Sequence, residues 1–286
     1  MKIFRFIAAI CCAALISCTE KQNEQQVPSP DMSVPELPAD PQPENTAFRH
    51  RILLLQHTGT YCSNCPTLMT SLRKLSQLED YADKYQHVAA HSYNQEGDPA
   101  YSQAAANLSQ AFCDGYYPEL TFNLTRENTG TSLAVSTITN IIDGLHKETA
   151  DVGIAAAAGI SGNSLDVNVQ IKAAKAGQYR IAVWVLEDEI RGKQEGATDD
   201  WMNTHSNAVR AMAGNTLNMR IYGDKVGEIQ EGQTAEKYFS VSLDEAWKTE
   251  NCKVLVLVNA AVADGRYDLA NCMLCQIGDS VTYDYK

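Results

Sequence analysis

The chain has 286 residues, 44% hydrophobic and 20% charged, the balance of a soluble globular protein with room for one large or two ordinary domains. Its 35 acidic and 23 basic side chains leave a net charge of −12, which argues against nucleic acid as a partner, since that requires a basic face. No run of about 20 apolar residues occurs, which excludes a polytopic helical membrane protein.

Residues 1–17 read as an export signal. Lys2 and Arg5 precede an apolar stretch, Phe6 to Ile16, that is too short to span a bilayer. It ends in Leu15-Ile16-Ser17-Cys18, which resembles a bacterial lipobox, so Cys18 is the expected lipidation site and the membrane the expected partner. Stable anchoring takes more than one acyl chain, which a diacylated Cys18 supplies. Thr19 rather than Asp follows it, which by analogy with lipoprotein sorting points to the outer membrane, on its periplasmic or its surface face. Removing residues 1–17 takes Lys2 and Arg5 and no acid, so the charge falls from −12 to −14. Residues 18–47 read as a tether: six of the nine prolines lie between Pro28 and Pro43, and an extended proline-rich chain covers about 3.1 Å per residue.

Beyond Cys18 six cysteines remain: Cys62, Cys65, Cys113, Cys252, Cys272 and Cys275. An even number in an exported chain favours disulfides, and six allow fifteen complete pairings.

Residues 48–149 read as an α/β domain. Arg51 to His57 is a nearly continuous apolar run, the pattern of a buried strand. Thr58-Gly59-Thr60 breaks it, and Tyr61-Cys62-Ser63-Asn64-Cys65-Pro66 follows. Leu68, Leu72 and Leu75 then recur at helical spacing, and Pro66 suits a first helical turn, so Cys62 lies at or just before a helix N-terminus. The free N–H groups there favour a thiolate. His87 to Tyr93 has strand character, Tyr101 to Phe112 is helical, Glu119 to Leu124 is a strand, and Leu133 to His146 is an amphipathic helix.

This order of elements around Tyr-Cys-x-x-Cys, with Tyr117-Pro118 opening the later strand, resembles the thioredoxin superfamily. The resemblance implies a cis Pro118 beside the cysteine pair, with Cys62 as nucleophile and Cys65 as resolving thiol. The segments Leu53 to Gly59, Cys62-x-Asn64-Cys65-Pro66 and Pro118 with Asn123 and Arg126, together with His205 to Arg210, resemble the outer-membrane-protein-twenty-eight family of Gram-negative lipoproteins. That resemblance implies a thioredoxin-like domain followed by an immunoglobulin-like β domain, with little said about activity. Three positions depart from redox thioredoxins. Gln56 stands where a buried acid is usual, Tyr61 replaces a tryptophan, and Ser63-Asn64 is an unusual pair between the cysteines.

Residues 150–286 read as an all-β sandwich. Val152 to Ile160, Ser164 to Lys172, Tyr179 to Glu187, Lys237 to Leu243, Val254 to Ala261 and Tyr267 to Ile277 are the expected strands, with Trp184 in the core. A hairpin turn at Asp264-Gly265 makes Cys275 a diagonal neighbour of Cys252 on one face, so Cys252–Cys275 is the expected structural disulfide. Cys272 falls on the other face. Cys113 and Cys272 are then free or bridge the domains. A second redox pair, Cys272 with Cys275, lacks the helix terminus that lowers a thiol pKa. Glu187, Asp188, Glu189, Asp199 and Asp200 border a long loop and read as solvated rather than as a calcium site.

Two functions stay open. One is thiol–disulfide exchange on exported proteins by Cys62 and Cys65, with Pro118 shaping the substrate face. The other is a non-catalytic surface binding or adhesion lipoprotein in which the same pair is a structural disulfide. Neither calls for a cofactor or a metal.

Overall fold

Seven consecutive buried residues, Ile52–Thr58, form β1, and their alternation explains why the run has no polar face: Leu53 and Leu55 enter one core while Ile52 and Leu54 enter another. The computed structural model describes residues 35–286; the expected export signal, Cys18 and the first part of the expected tether lie outside the described residues.

The first half continues with α1 (Cys65–Leu75), β2 (Tyr85–His91), α2 (Gln103–Phe112), β3 (Glu119–Phe122) and α3 (Val135–Leu145). β2 runs parallel to β1 and β3 antiparallel to it. The second half supplies β4 (Val152–Ser161), β5 (Ser164–Ala173), β6 (Gly177–Glu187), β7 (Ile190–Arg191), β8 (Thr204–His205) and β9 (Ala208–Met212). A short α4 (Leu217–Tyr222), β10 (Asp224–Ile229), β11 (Thr234–Ser242), β12 (Cys252–Ala261), β13 (Tyr267–Gln276) and β14 (Ser280–Val281) complete it. The architecture is mostly β.

One eight-stranded sheet runs β13-β12-β6-β9-β2-β1-β3, with β10 beside β6, and so takes strands from both sides of residue 150. The join is narrow: Ala89 of β2 pairs with Ala208 of β9, and the Ala89 N–H donates to the Asn207 carbonyl at 2.8 Å. A second sheet, β11-β5-β4-β14, packs on the β6–β12–β13 end, burying Val152, Ile154, Val167 and Val169 against Val183, Val185, Val254 and Val256. The opposite face of β6 and β12 carries Trp184, Leu186, Leu255 and Leu257 into a core with Leu108 and Phe112 of α2 and with Leu53 and Leu55. On the far side of β1, Ile52 and Leu54 pack on Leu68 and Leu72 of α1 and on Ile138 and Ile142 of α3. Trp184 is a fully buried core residue whose indole N–H donates to the Arg220 carbonyl at 2.8 Å.

Residues 35–47, expected as spacer, are bound to the second sheet. Lys172 of β5 is buried, and its ammonium reaches the Asp40 carboxylate at 3.1 Å and the Pro43 carbonyl. The Tyr285 hydroxyl donates to the other Asp40 oxygen at 2.7 Å. A buried ammonium must be paired, and this segment supplies the partners.

The expected Cys252–Cys275 bridge is not formed: Cys113, Cys252, Cys272 and Cys275 are all free and buried. The hairpin register pairs Val254 with Cys275, and Cys252 and Cys275 do share the inter-sheet core. Diagonal neighbours on a sheet lie about 7–8 Å apart, however, beyond the usual Cα range for a disulfide of about 4.4–6.8 Å. Cys272 points into the opposite core, so Cys272 and Cys275 do not form a dithiol pair either.

Candidate functional site

The turn after β1 positions the cysteine pair. Cys62 N–H donates to the Gly59 carbonyl at 3.0 Å, Cys65 N–H donates to the Cys62 carbonyl at 3.1 Å, and α1 starts at Cys65 with Pro66 in its first turn. Cys62 and Cys65 are joined by a disulfide with Cα atoms 5.3 Å apart. The Tyr117–Pro118 peptide is cis. Continuing the β1–β3 register, in which His57 faces Glu119, sets Pro118 opposite Thr58, at the end of β1 that leads into the cysteines.

Both cysteines are covered. Cys62 is 3% exposed and Cys65 is 0% exposed. The segment 192–196, which no local sequence pattern marks, is bonded across the turn that carries them. The Gln194 amide, 2% exposed, donates to the carbonyls of Cys62 at 2.9 Å, Thr60 at 3.2 Å and Gly59 at 3.3 Å. The next N–H, of Glu195, donates to Thr60 O at 2.7 Å. Gly196 lies against the Ser63 carbonyl at φ +74, a place where a Cβ would collide. Asn203 ties the strap at its base, receiving the Gly192 N–H through its carbonyl at 3.0 Å and the Gln194 N–H through its side chain at 2.9 Å.

A buried polar network lies behind the pair. Asp98 accepts from the N–H groups of Thr60 and Ala100 and from His91 Nδ1, at 2.9, 2.9 and 3.0 Å. Burial alone would raise its carboxyl, but these donors and the His91 ring more than offset that and hold it at about 2. His91 meets His205 edge-on at 4.8 Å, and His205 Nε2 donates to the Gly192 carbonyl at 3.0 Å. Burial lowers His205 to about 4. Gln56 faces α1 and accepts from His87 Nε2 at 3.0 Å, an amide bonded to an imidazole. Burial, aided by Lys253, lowers His87 to about 4. His57 points the other way, between the Ser109 and Thr121 hydroxyls at 2.8 and 2.9 Å, and Arg51 is paired with Asp284 at 2.5 Å.

The remaining expected residues go elsewhere. Cys113 Sγ donates to Glu119 at 3.0 Å, and Cys272 Sγ lies against the Arg51 and Ile52 carbonyls. Three of the five loop acids are paired with cations: Glu187 with Arg210 at 3.1 Å, Asp188 with Lys253 at 2.6 Å and Asp200 with Arg191 at 3.4 Å. Three tyrosines stay exposed near the cysteine turn and the Pro118 loop: Tyr61, Tyr93 and Tyr116. Among the described residues no helix is long and apolar enough to cross a membrane.

No curated protein matches the sequence. Among solved structures, HBP35 of Porphyromonas gingivalis is similar with a TM-score of 0.64 at 17% identity, over 82% of this chain and 77% of that one. Protein AGR_C_4864 of Agrobacterium tumefaciens is similar with a TM-score of 0.50 at 15% identity, over 83% and 99%. A domain of the outer membrane lipoprotein Omp28 from Porphyromonas gingivalis aligns over 45% of this chain and 88% of that one, at 15% identity and a TM-score of 0.30. The two broader likenesses concern the fold alone. The family model for outer membrane protein Omp28 matches residues 120–268, more than half of the chain, and the chain belongs to the Omp28 outer membrane protein family.

Proposed function

We propose that the chain is a lipid-anchored outer-membrane binding protein in which the Cys62–Cys65 disulfide is a structural clasp and not a working redox pair. In this reading residues 48–149 are a thioredoxin-like unit, residues 150–286 an immunoglobulin-like sandwich, and Cys18 the lipid anchor. The observation that carries it is the strap: Gln194 and Glu195 are bonded across the turn that holds Cys62, and neither sulfur-bearing residue is open to solvent. Thiol–disulfide exchange needs an incoming thiolate to reach a disulfide sulfur, and access governs its rate. Gln56 adds to the argument, because an amide cannot move the proton that exchange requires.

The exchange reading keeps one observation in its favour, the placement of Cys65 at the N-terminus of α1, where a thiolate is favoured. The reduction potential decides between them. The full chain is equilibrated in graded thiol buffers, alkylated and read by mass spectrometry. A pair still oxidised below about −300 mV is the expected result; a reversible transition between roughly −120 and −270 mV would overturn the clasp. Membrane fractionation of Cys18→Ala tests the anchor: a variant that still sediments with membranes sinks it.

A further inference from the structure

A cavity of about 400 Å³ lies beside the strap, between α1, the ends of β1 and β2 nearest the cysteines, and the hairpin made by β7 and β8. Its volume is in the range of small-molecule sites. The sheet face that forms its floor changes character along its length: Ile52 and Leu54 are core, whereas Gln56, Thr58, His87 and His91 are polar. A buried polar surface is costly unless something bonds to it. Asp98 takes Nδ1 of His91 and the Gly192 carbonyl takes Nε2 of His205, so His91 Nε2 and His205 Nδ1 have no partner among the described residues. With Nε2 donating and the ring held neutral by burial, His205 Nδ1 presents a lone pair. It asks for a ligand O–H or N–H.

The charge of the cavity is equally particular. The chain carries −12, yet no carboxylate lines this space. Its one formally charged lining residue is Arg73 of α1, exposed and stacked on Trp201 at 4.4 Å, with no carboxylate partner among the described residues. A guanidinium fork left open in an acidic protein suits a carboxylate. Met69, Leu72 and Ala89 supply the apolar part of the lining.

We propose that this cavity binds a small hydroxycarboxylate. The carboxylate sits on Arg73, the hydroxyl donates to the free nitrogen of His205 or His91, and the carbon skeleton lies along Met69 and Leu72. The proposal rests on the reading of the chain as a binding protein and names the site and ligand class that reading lacks.

Isothermal titration of the full chain with L-malate tests it, with succinate (the same skeleton without the hydroxyl) and glycerol (no carboxylate) as comparison probes. Saturable malate binding, stronger than either, is expected. Arg73→Met, a change on the exposed face of α1, weakens it by about tenfold or more, the loss of a charge-assisted pair. Ala89→Leu fills the space and abolishes binding; should that variant fail to fold, Arg73→Met decides alone. Absence of saturable heat up to about 10 mM malate, a limit set by weak millimolar binding, overturns the proposal. So does malate binding unchanged in Arg73→Met, or succinate binding equal to malate. The outcome is separate from the reduction potential: malate binding by a redox-active chain would leave the cavity assigned and sink the clasp, and a structural disulfide without malate binding would do the reverse.

Discussion

Gln194 and Cys62, 132 residues apart, are joined by a 2.9 Å hydrogen bond from the Gln194 amide to the Cys62 carbonyl. The bond ties the second half of the chain to the turn that carries the disulfide of the first. That amide sits among several carbonyl oxygens, a demand that no hydroxyl or aliphatic side chain meets.

Gln194→Ala should therefore loosen the strap without touching the cysteines. A buried hydrogen-bonded group is worth about 1–3 kcal/mol, so the open population rises by roughly five- to 160-fold. The reduction rate of Cys62–Cys65 by dithiothreitol at fixed pH should rise by a similar factor. An unchanged rate would mean that the strap does not limit access.

Asp40 and Lys172 make the second long-range tie. Lys172 is only 2% exposed, and Asp40→Ala leaves its ammonium buried with two carbonyls and the Tyr285 hydroxyl but no counter-charge. Breaking a buried pair from one side costs about 3–5 kcal/mol, which sets the expected loss in urea denaturation. The same variant should make residues 35–47 more susceptible to proteolysis, with the Gln42 and Pro43 carbonyls still held by Lys172. A stable, protease-resistant Asp40→Ala would show that the docked segment depends on other contacts.

Much of this was legible in the sequence where the pattern is local. The apolar run at Ile52–Thr58, the helix opened by Pro66, and the alternation of Leu165, Val167, Val169 and Ile171 each name their own element. The β12–β13 register follows from a turn near Asp264-Gly265, and with it the shared face of Cys252 and Cys275. What failed there was distance, since a shared face does not bring diagonal residues within bonding range. β9 escaped because it is five residues long with Arg210 in its middle, and β10 because Gly227 breaks its alternation with a bulge. The strap and the cavity were illegible for a further reason. Gln194, His205 and Trp201 acquire roles only through elements brought from more than a hundred residues away, and no spacing rule reaches that far.

The four free thiols should be inert in the native state. Burial pushes Cys113, Cys252 and Cys272 up to about 12 and Cys275 to about 11, with Glu119 adding to the first and Glu187 to the second. A thiol this far above ambient pH offers almost no thiolate. Iodoacetamide at pH 8 should label none of them in the folded chain and all four in denaturant. Native labelling of Cys252 or Cys275 would show that the inter-sheet core opens more readily than its packing implies.

Acid should destabilise the fold earlier than carboxylates alone would allow. Burial lowers His50 to about 4, with help from His146 and Lys147; it lowers His57 to about 3 and His87 and His205 to about 4. In the unfolded chain each takes a proton near pH 6.5, so below that pH the unfolded state binds more protons and gains free energy relative to the folded one. Stability is then full above pH 6.5 and falls between 6.5 and 4, each ring contributing a slope of up to about 1.4 kcal/mol per pH unit. Asp98 works in a lower window: its carboxylate stabilises the fold above the unfolded value of 3.8, and that contribution is lost as pH falls toward about 2. Urea midpoints at pH 7.5, 6.5, 5.5 and 4.5 measure the upper window. A midpoint that holds steady from 7.5 to 4.5 would mean the four imidazoles protonate in place, in a fold that opens enough to hydrate them.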